Sequence, residues 1–235
     1  MLNVEIDGNS YKLATKPSLE LVAGRGTYGN GSIDWGKEGL SLAEIAHLTG
    51  KAASLAAEIN GQCLPLTQLI TDDCKIRFIT ENDIEGEQLI YRTGIYLLAY
   101  GTAISHNGYI RKGGGIKEKE IYYDFIIDKY TPSKINLSLI EETINEVLCS
   151  EKRILPKKYP FYDAVELFTR QQEWWILKQI QNRDDGGPVS LQMLDTFAEI
   201  DSGFMLYELK KMKNVKPLYV DYAEKVCRVY GEILL

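Results

Sequence analysis

Residues 39–66 read GLSLAEIAHLTGKAASLAAEINGQCLPL, and this stretch decides the fold of the amino-terminal region. Ser41 stands three residues before Glu44, the spacing of a capping box in which each side chain meets the other residue's backbone N–H. Leu42, Ile45, Ala46 and Thr49 recur at helical spacing, and Gly50 supplies the stop. Ala56-Ala57-Glu58-Ile59 then runs into Asn60-Gly61, a turn signal. One capped helix followed by a strand that doubles back is the expectation.

Working outward, Val4-Glu5-Ile6 and Tyr11-Lys12-Leu13 alternate in polarity on either side of Asp7-Gly8-Asn9, where glycine supplies the positive φ of a hairpin turn. Lys75-Ile76-Arg77-Phe78-Ile79 is a further alternating strand. Two hairpins around one helix make a small β-grasp pattern. Between them, Gly24 to Gly39 holds six glycines and reads as a mobile loop or insertion.

From about residue 85 the pattern changes. Glu87 to Ala103 is apolar and helical, and Ile121-Tyr122-Tyr123-Asp124-Phe125-Ile126-Ile127 has high strand propensity. Ser138 with Glu141 predicts a capped helix reaching about Cys149. Asp163–Phe168 and Trp174–Ile180 read as shorter amphipathic helices, Asp184–Pro188 as a turn, and the remainder as extended, mostly antiparallel chain. Helices and strands without strict alternation favour an α+β architecture over a doubly wound sheet.

Composition narrows the function. Twenty-seven Lys and Arg against 33 Asp and Glu give a net charge of −6, so nothing global favours nucleic acid. His47 and His106 are the only histidines, which argues against a His-built metal centre. Cys63, Cys74, Cys149 and Cys227 are widely spaced, as expected of free thiols in a reducing compartment. The start of the chain lacks a basic segment followed by an apolar core, and no run of about 18 apolar residues occurs, so export and a membrane span are not expected. A cytoplasmic protein with no cofactor and no metal is the expectation; the oligomeric state is left open.

Three stretches of the amino-terminal region carry a resemblance: Gly39–Ala46, Ala57–Leu66 with its Asn60-Gly61 turn, and Asp72-Asp73-Cys74-Lys75-Ile76. In this order they resemble the TGS domain of threonyl-tRNA synthetase. Ile121–Phe125, Leu139-Ile140-Glu141-Glu142 and Ala164–Phe168 look like the editing domain of the same synthetase, and Cys227-Arg228-Val229-Tyr230-Gly231 is similar to the segment leading into its aminoacylation core. The resemblance implies a TGS-like domain over residues 1–82 and an editing-like domain over 83–235. It includes neither the aminoacylation core nor an anticodon-binding domain, so it implies no charging of tRNA by this polypeptide alone. The amino-terminal region of uridine-kinase-like proteins is similar as well.

The family's editing site uses H-x-x-x-H on a helix and C-x-x-x-H near a strand end. Matching Leu97-Leu98-Ala99 to the family's HLLA places Arg92 and Tyr96 at the two helix histidines. Matching Phe197–Met205 to FVDLCRGPH places Asp201 at the cysteine and Met205 at the last histidine. Glu199 falls on an acidic position, Tyr122 or Tyr123 on a tyrosine, and Lys178 close to a lysine. Arginine cannot serve as a base and methionine has no usable proton, so the family's serine-removing chemistry is expected to be absent. Arg92 is expected to pair with Asp201 or Glu199 across the vacated cleft; a rebuilt site, with Asp201 as base, Tyr96 as hydroxyl donor and Glu199 beside them, is the alternative.

Basic residues offer local places for an RNA backbone: Arg111 and Lys112 beside Gly113-Gly114-Gly115, read as a solvated turn; Lys157 and Lys158; Lys210 and Lys211. The function expected from the resemblance is a non-catalytic module that binds tRNA, a ligand or a protein partner such as a synthetase or kinase. A free-standing aminoacyl-tRNA deacylase and a regulatory domain pair, as in uridine-kinase-like proteins, are the alternatives.

Overall fold

The computed structural model describes residues 1–15, 39–106, 109–127, 134–183, 185–200, 209, 212 and 214–234. The Gly24–Gly39 loop expected above lies outside the described residues except for Gly39, as does Asp184 of the expected turn. The chain divides into two compact units, Met1–Gly86 and Glu87–Leu235.

In the first unit the turn signals act locally. Strands β1 (Leu2–Ile6) and β2 (Asn9–Leu13) are joined through Asp7 and Gly8, at φ 50° and 78°. Strands β4 (Ala56–Ile59) and β5 (Gln62–Leu64) are joined through Asn60 and Gly61, at φ 53° and 76°. Two consecutive positive φ angles give the turn whose twist matches that of the flanking strands. A short pair, β3 (Leu40–Ser41) with β6 (Leu69–Ile70), flanks helix α1 (Leu42–Leu48), and β7 (Cys74–Ile79) follows. The sheet order is β2-β1-β7-β4-β5; β1 and β7 run parallel, and the other neighbours antiparallel. The Ser41–Glu44 capping box forms in full. Leu42, Ile45 and Ala46 of α1 bury against Leu2, Val4, Ile6, Ile76 and Phe78 of the sheet.

Helix α2 (Ile84–Ser105) opens at the end of the first unit, and nearly every residue from Thr93 to Thr102 is buried. The second unit then adds β8 (Ile110–Lys117), β9 (Glu120–Ile126), α3 (Leu137–Leu148), β10 (Leu155–Tyr159), α4 (Phe161–Arg170) and α5 (Trp174–Gln181). It ends with β11 (Val189–Leu194), β12 (Phe197–Ile200), β13 (Asn214–Tyr222) and β14 (Val226–Leu234). Two antiparallel sheets result, β13-β14-β9-β8 and β10-β11-β12. Mixed α+β with antiparallel sheets is thus the observed class.

Glycines let α2 sit close to its neighbours. A Cβ on Gly94 would lie 2.5 Å from Ile233 Cδ1, and one on Gly101 would lie 2.7 Å from Ile144 Cγ1 of α3. Helices α4 and α5 bury Ala164, Phe168, Ile176 and Ile180 with Val189, Leu191 and Met193 of β11.

Two local expectations change. Helix α3 is capped by Asn136 rather than by Ser138 with Glu141: the Asn136 carboxamide oxygen accepts from the N–H groups of both Ser138 and Leu139, one residue ahead of the helix. Gly113-Gly114-Gly115 is not a turn but lies inside β8, because Gly114 passes under Ile95 and Tyr123 where an added Cβ would lie 2.5 Å from Ile95 Cγ2. His106, just beyond α2, accepts the Asn136 N–H at Nε2, 2.9 Å away, while His47 is exposed on α1.

At Gly86 a Cβ would stand 1.8 Å from the Thr80 carbonyl oxygen, a backbone atom that cannot rotate aside. Alanine normally gains about 1 kcal/mol over glycine inside a helix. Here Gly86→Ala is expected instead to lower stability by about 1–3 kcal/mol, the range for overpacking. A urea midpoint equal to or above that of the parent would contradict it.

Candidate functional site

Arg111 is the largest fully buried side chain of the described residues, 1% exposed on β8. Its Nε donates to Glu173 Oε1 at 2.6 Å, and its backbone N–H donates to Glu173 Oε2 at 3.0 Å. One terminal nitrogen donates to the Ala198 carbonyl at 2.5 Å and to Glu199 Oε1 at 2.9 Å; the other reaches Gln171 Oε1 at 3.4 Å. Tyr123 O–H donates to the same Glu199 oxygen at 2.6 Å. The guanidinium also lies 4.3 Å from the Phe197 ring centroid.

Local chain geometry delivers each partner. Gln172, at φ 58°, turns the chain sharply between α4 and α5, and Glu173 takes the position ahead of α5 without capping it, so its carboxylate is free to reach Arg111. On β12, alternation sends Ala198 into the α4–α5 core and Glu199 to the opposite face. On β8, Arg111 pairs with Phe125 and Gly113 with the adjacent Asp124, so Lys112 is the extra residue of a β-bulge.

Above this cluster opens a cleft of about 270 Å³, whose walls include Arg92, Ile95, Tyr96, Lys112, Gly114, Tyr123, Ile176, Glu199 and Ile200. It brings together four of the residues singled out from the family pattern: Arg92, Tyr96, Tyr123 and Glu199. Asp201 and Met205 lie outside the described residues, as do Lys210 and Lys211. Lys178 is exposed on α5, its ammonium 5.8 Å from the Trp175 ring centroid.

The expected pairing of Arg92 with Glu199 does not form; Arg111 takes that carboxylate, and among the described residues Arg92 has no ion pair. Arg111 is accordingly withdrawn from the RNA-contacting set, since its guanidinium is buried and all three of its nitrogens already donate within the protein. Lys112, Lys157 and Lys158 remain at the surface to different degrees. Glu173 and Gln171 carry no motif in the sequence. The one hint was an acidic residue directly before the apolar Trp174-Trp175-Ile176-Leu177.

The chemistry of the cleft is muted. Burial, and then the neighbouring charge of Glu199, push the Tyr96 hydroxyl far above its ordinary range, and the same two causes act on Tyr123. Tyr96 O–H approaches the carbonyls of Gln192 at 3.3 Å and Phe197 at 3.4 Å, both of the β11–β12 hairpin. Burial opposes the Arg111 charge, yet Glu199 and Glu173 outweigh it and hold the cation firmly. Burial raises the Glu173 carboxyl and outweighs the opposing charge and hydrogen bonds of Arg111, with the Glu199 charge adding a smaller push upward. Among the described residues no group of three or more His, Cys, Asp or Glu side chains is placed to hold a metal ion. No helix among them is long and apolar enough to cross a membrane.

Removing one member of a buried ion cluster strands the others, at a cost of about 3–5 kcal/mol. Arg111→Ala should lose that much, and Arg111→Ala with Glu173→Gln should recover part of it; equal losses in the two would show that Glu173 is not the stranded charge. A carboxyl whose pKa is raised in the folded state adds stability at low pH and loses it as pH rises through the raised value. The unfolding free energy of the parent relative to Glu173→Gln should therefore fall as pH rises from the ordinary glutamate value of 4.5 toward neutrality. Urea titrations in pH steps read the sign directly.

No protein-family model matches the chain. It is similar to the threonine–tRNA ligase of Nitrosomonas europaea, 27% identical over 188 residues, or 76% of this chain and 29% of that protein. The corresponding ligase of Cytophaga hutchinsonii is 24% identical over 216 residues, 87% of this chain and 33% of its own length. That of Finegoldia magna is 24% identical over 167 residues, 71% and 26%. The chain thus spans about a quarter to a third of the length of the curated relatives it matches, and its similarity to threonyl-tRNA synthetases is distant but extends along most of the chain.

Proposed function

We propose that the chain is a non-catalytic, tRNA-binding counterpart of the amino-terminal part of threonyl-tRNA synthetase: a TGS-like β-grasp domain followed by an editing-like domain whose hydrolytic site is degenerate. The observation that carries this reading is the Arg111 cluster. Glu199, the carboxylate best placed in the cleft, is held by Arg111 and Tyr123 through one oxygen. Tyr96 and Tyr123 hold their protons too tightly for base work. A five-stranded sheet with two hairpins and one capped helix supports the β-grasp assignment. The similarity to threonine–tRNA ligases makes tRNA the natural partner.

Phosphate contacts must come from local cations, given the net charge of −6. Lys157 and Lys158 alternate across the edge strand β10, so they face opposite sides. Arg153, Leu155 and Lys157 border a shallow hollow with Lys152, whose ammonium is tied to Asp195 at 2.6 Å. Arg153 and Lys157 are the cations of that hollow that have no ion pair among the described residues.

Purified protein should shift tRNA in a mobility assay at low salt, and Lys157→Ala should reduce the salt slope of binding by about 1. Seryl-tRNA specific for threonine should lose serine no faster than in buffer. Absence of any shift at low salt removes the tRNA assignment. Serine release that Glu199→Gln abolishes would instead establish a deacylase with a rebuilt site.

A further inference from the structure

The cleft in the second unit carries cations that no described group neutralises. Arg92 enters from α2 and Lys112 from β8, and neither has an ion-pair partner among the described residues. Glu199 is the one carboxylate on the described walls, and Arg111 already compensates it at 2.9 Å. Lys112 owes its position to the β-bulge: as the extra residue between Arg111 and Gly113, it lines the cleft while its neighbour Arg111 anchors the floor. Next to it, Gly113 and Gly114 present bare backbone to the cleft; Gly113 stands at φ 149°, which disfavours any side chain there. Ile95, Ile176 and Ile200 supply apolar wall.

We infer that this cleft binds a small organic anion, its carboxylate or phosphate-monoester group held by Arg92 and Lys112 and its apolar body against the three isoleucines. Size sets the class. A volume of about 270 Å³ lies just under the range of about 300–1,000 Å³ for sites that enclose drug-sized ligands. A single small ring with one anionic group fits; an extended cofactor does not. Charge sets the sign, because two cations line one cleft whose one described carboxylate is already compensated, and an anion is the ligand they attract.

The inference rests on reading the cleft as a binding site and not a hydrolytic one. The test is calorimetric titration of the full chain with phenyl phosphate, with benzoate and with neutral benzyl alcohol. Quenching of tryptophan fluorescence gives a second readout, since the Lys112 ammonium lies 6.0 Å from the Trp175 ring centroid. At least one anion should bind, with benzyl alcohol weaker by tenfold or more; which anion wins distinguishes monoester from carboxylate. Arg92→Gln and Lys112→Gln should each weaken binding at least tenfold with unchanged unfolding midpoints, and Arg92→Lys should retain most of it. Failure of both anions, equal binding of benzyl alcohol, or parent-like affinity in both glutamine variants would overturn the inference. Seryl-tRNA hydrolysis would overturn the underlying reading whether or not phenyl phosphate binds. Absent anion binding without hydrolysis overturns this inference alone.

Discussion

A buried guanidinium is tolerable only when its charge is compensated and its nitrogens find acceptors, and Arg111 fixes much of the second unit on that condition. Moving a cation out of water costs several kcal/mol even after relaxation. Glu173 and Glu199 return that cost from two sides, and Ala198 and Gln171 each accept a further N–H. Each partner sits on a different piece of chain: the corner between α4 and α5, strand β12, and, through Tyr123, strand β9. Their convergence ties the three-stranded sheet to the edge of the four-stranded one. A shift in any of these pieces would leave a charge uncompensated, so the cluster specifies geometry more than it contributes net stability.

Around that polar knot the packing is aromatic and close. Phe197 receives the edge contacts of Tyr96 at 5.2 Å and Tyr100 at 5.4 Å between ring centroids, while Arg111 covers it at 4.3 Å. Helix α2 therefore meets the β11–β12 hairpin through rings, and meets β9, β14 and α3 through glycines. Rings on one side and close-approach glycines on the other set where the helix lies, and with it where Arg92 and Tyr96 stand. Among the described residues the first unit shows no buried ion cluster; its helix and sheet close over a mostly aliphatic core that includes Phe78, with the charge pairs at its periphery.

Legibility in the sequence followed the range of the interactions. Asp7-Gly8, Asn60-Gly61 and the Ser41–Glu44 box act within three residues and could be read directly. Asn136 and Ser138 are both good caps, and only the chain path ahead of α3 separates them. Arg111 was beyond reach: flanked by Lys112 and three glycines it has the appearance of a solvated basic turn, and its partners stand 62 and 88 residues further along. The same distance hides Glu173. The bulge that admits Lys112 to the cleft is visible only as a register shift between two strands. Arg92, Tyr96, Tyr123 and Glu199 were found through family likeness, not through any local chemical signal.

On the reading proposed for the cleft, the two helix positions have diverged in different ways. Tyr96 has become part of the core: 2% exposed, stacked edge-on against Phe197 and approaching two carbonyls of the hairpin. A histidine placed there would leave unfilled volume and would face a buried wall already furnished with acceptors. Arg92, by contrast, retains a partly exposed guanidinium at the cleft wall. Packing thus commits Tyr96 to the core, while Arg92 is left at the cleft wall to supply charge. On the same reading, a single histidine at either position would not make a hydrolytic site, because Glu199 remains committed to Arg111. On the proposed reading, replacing Arg92 or Lys112 alters what the cleft binds, whereas freeing Glu199 for chemistry means dismantling the cluster that fixes the local geometry.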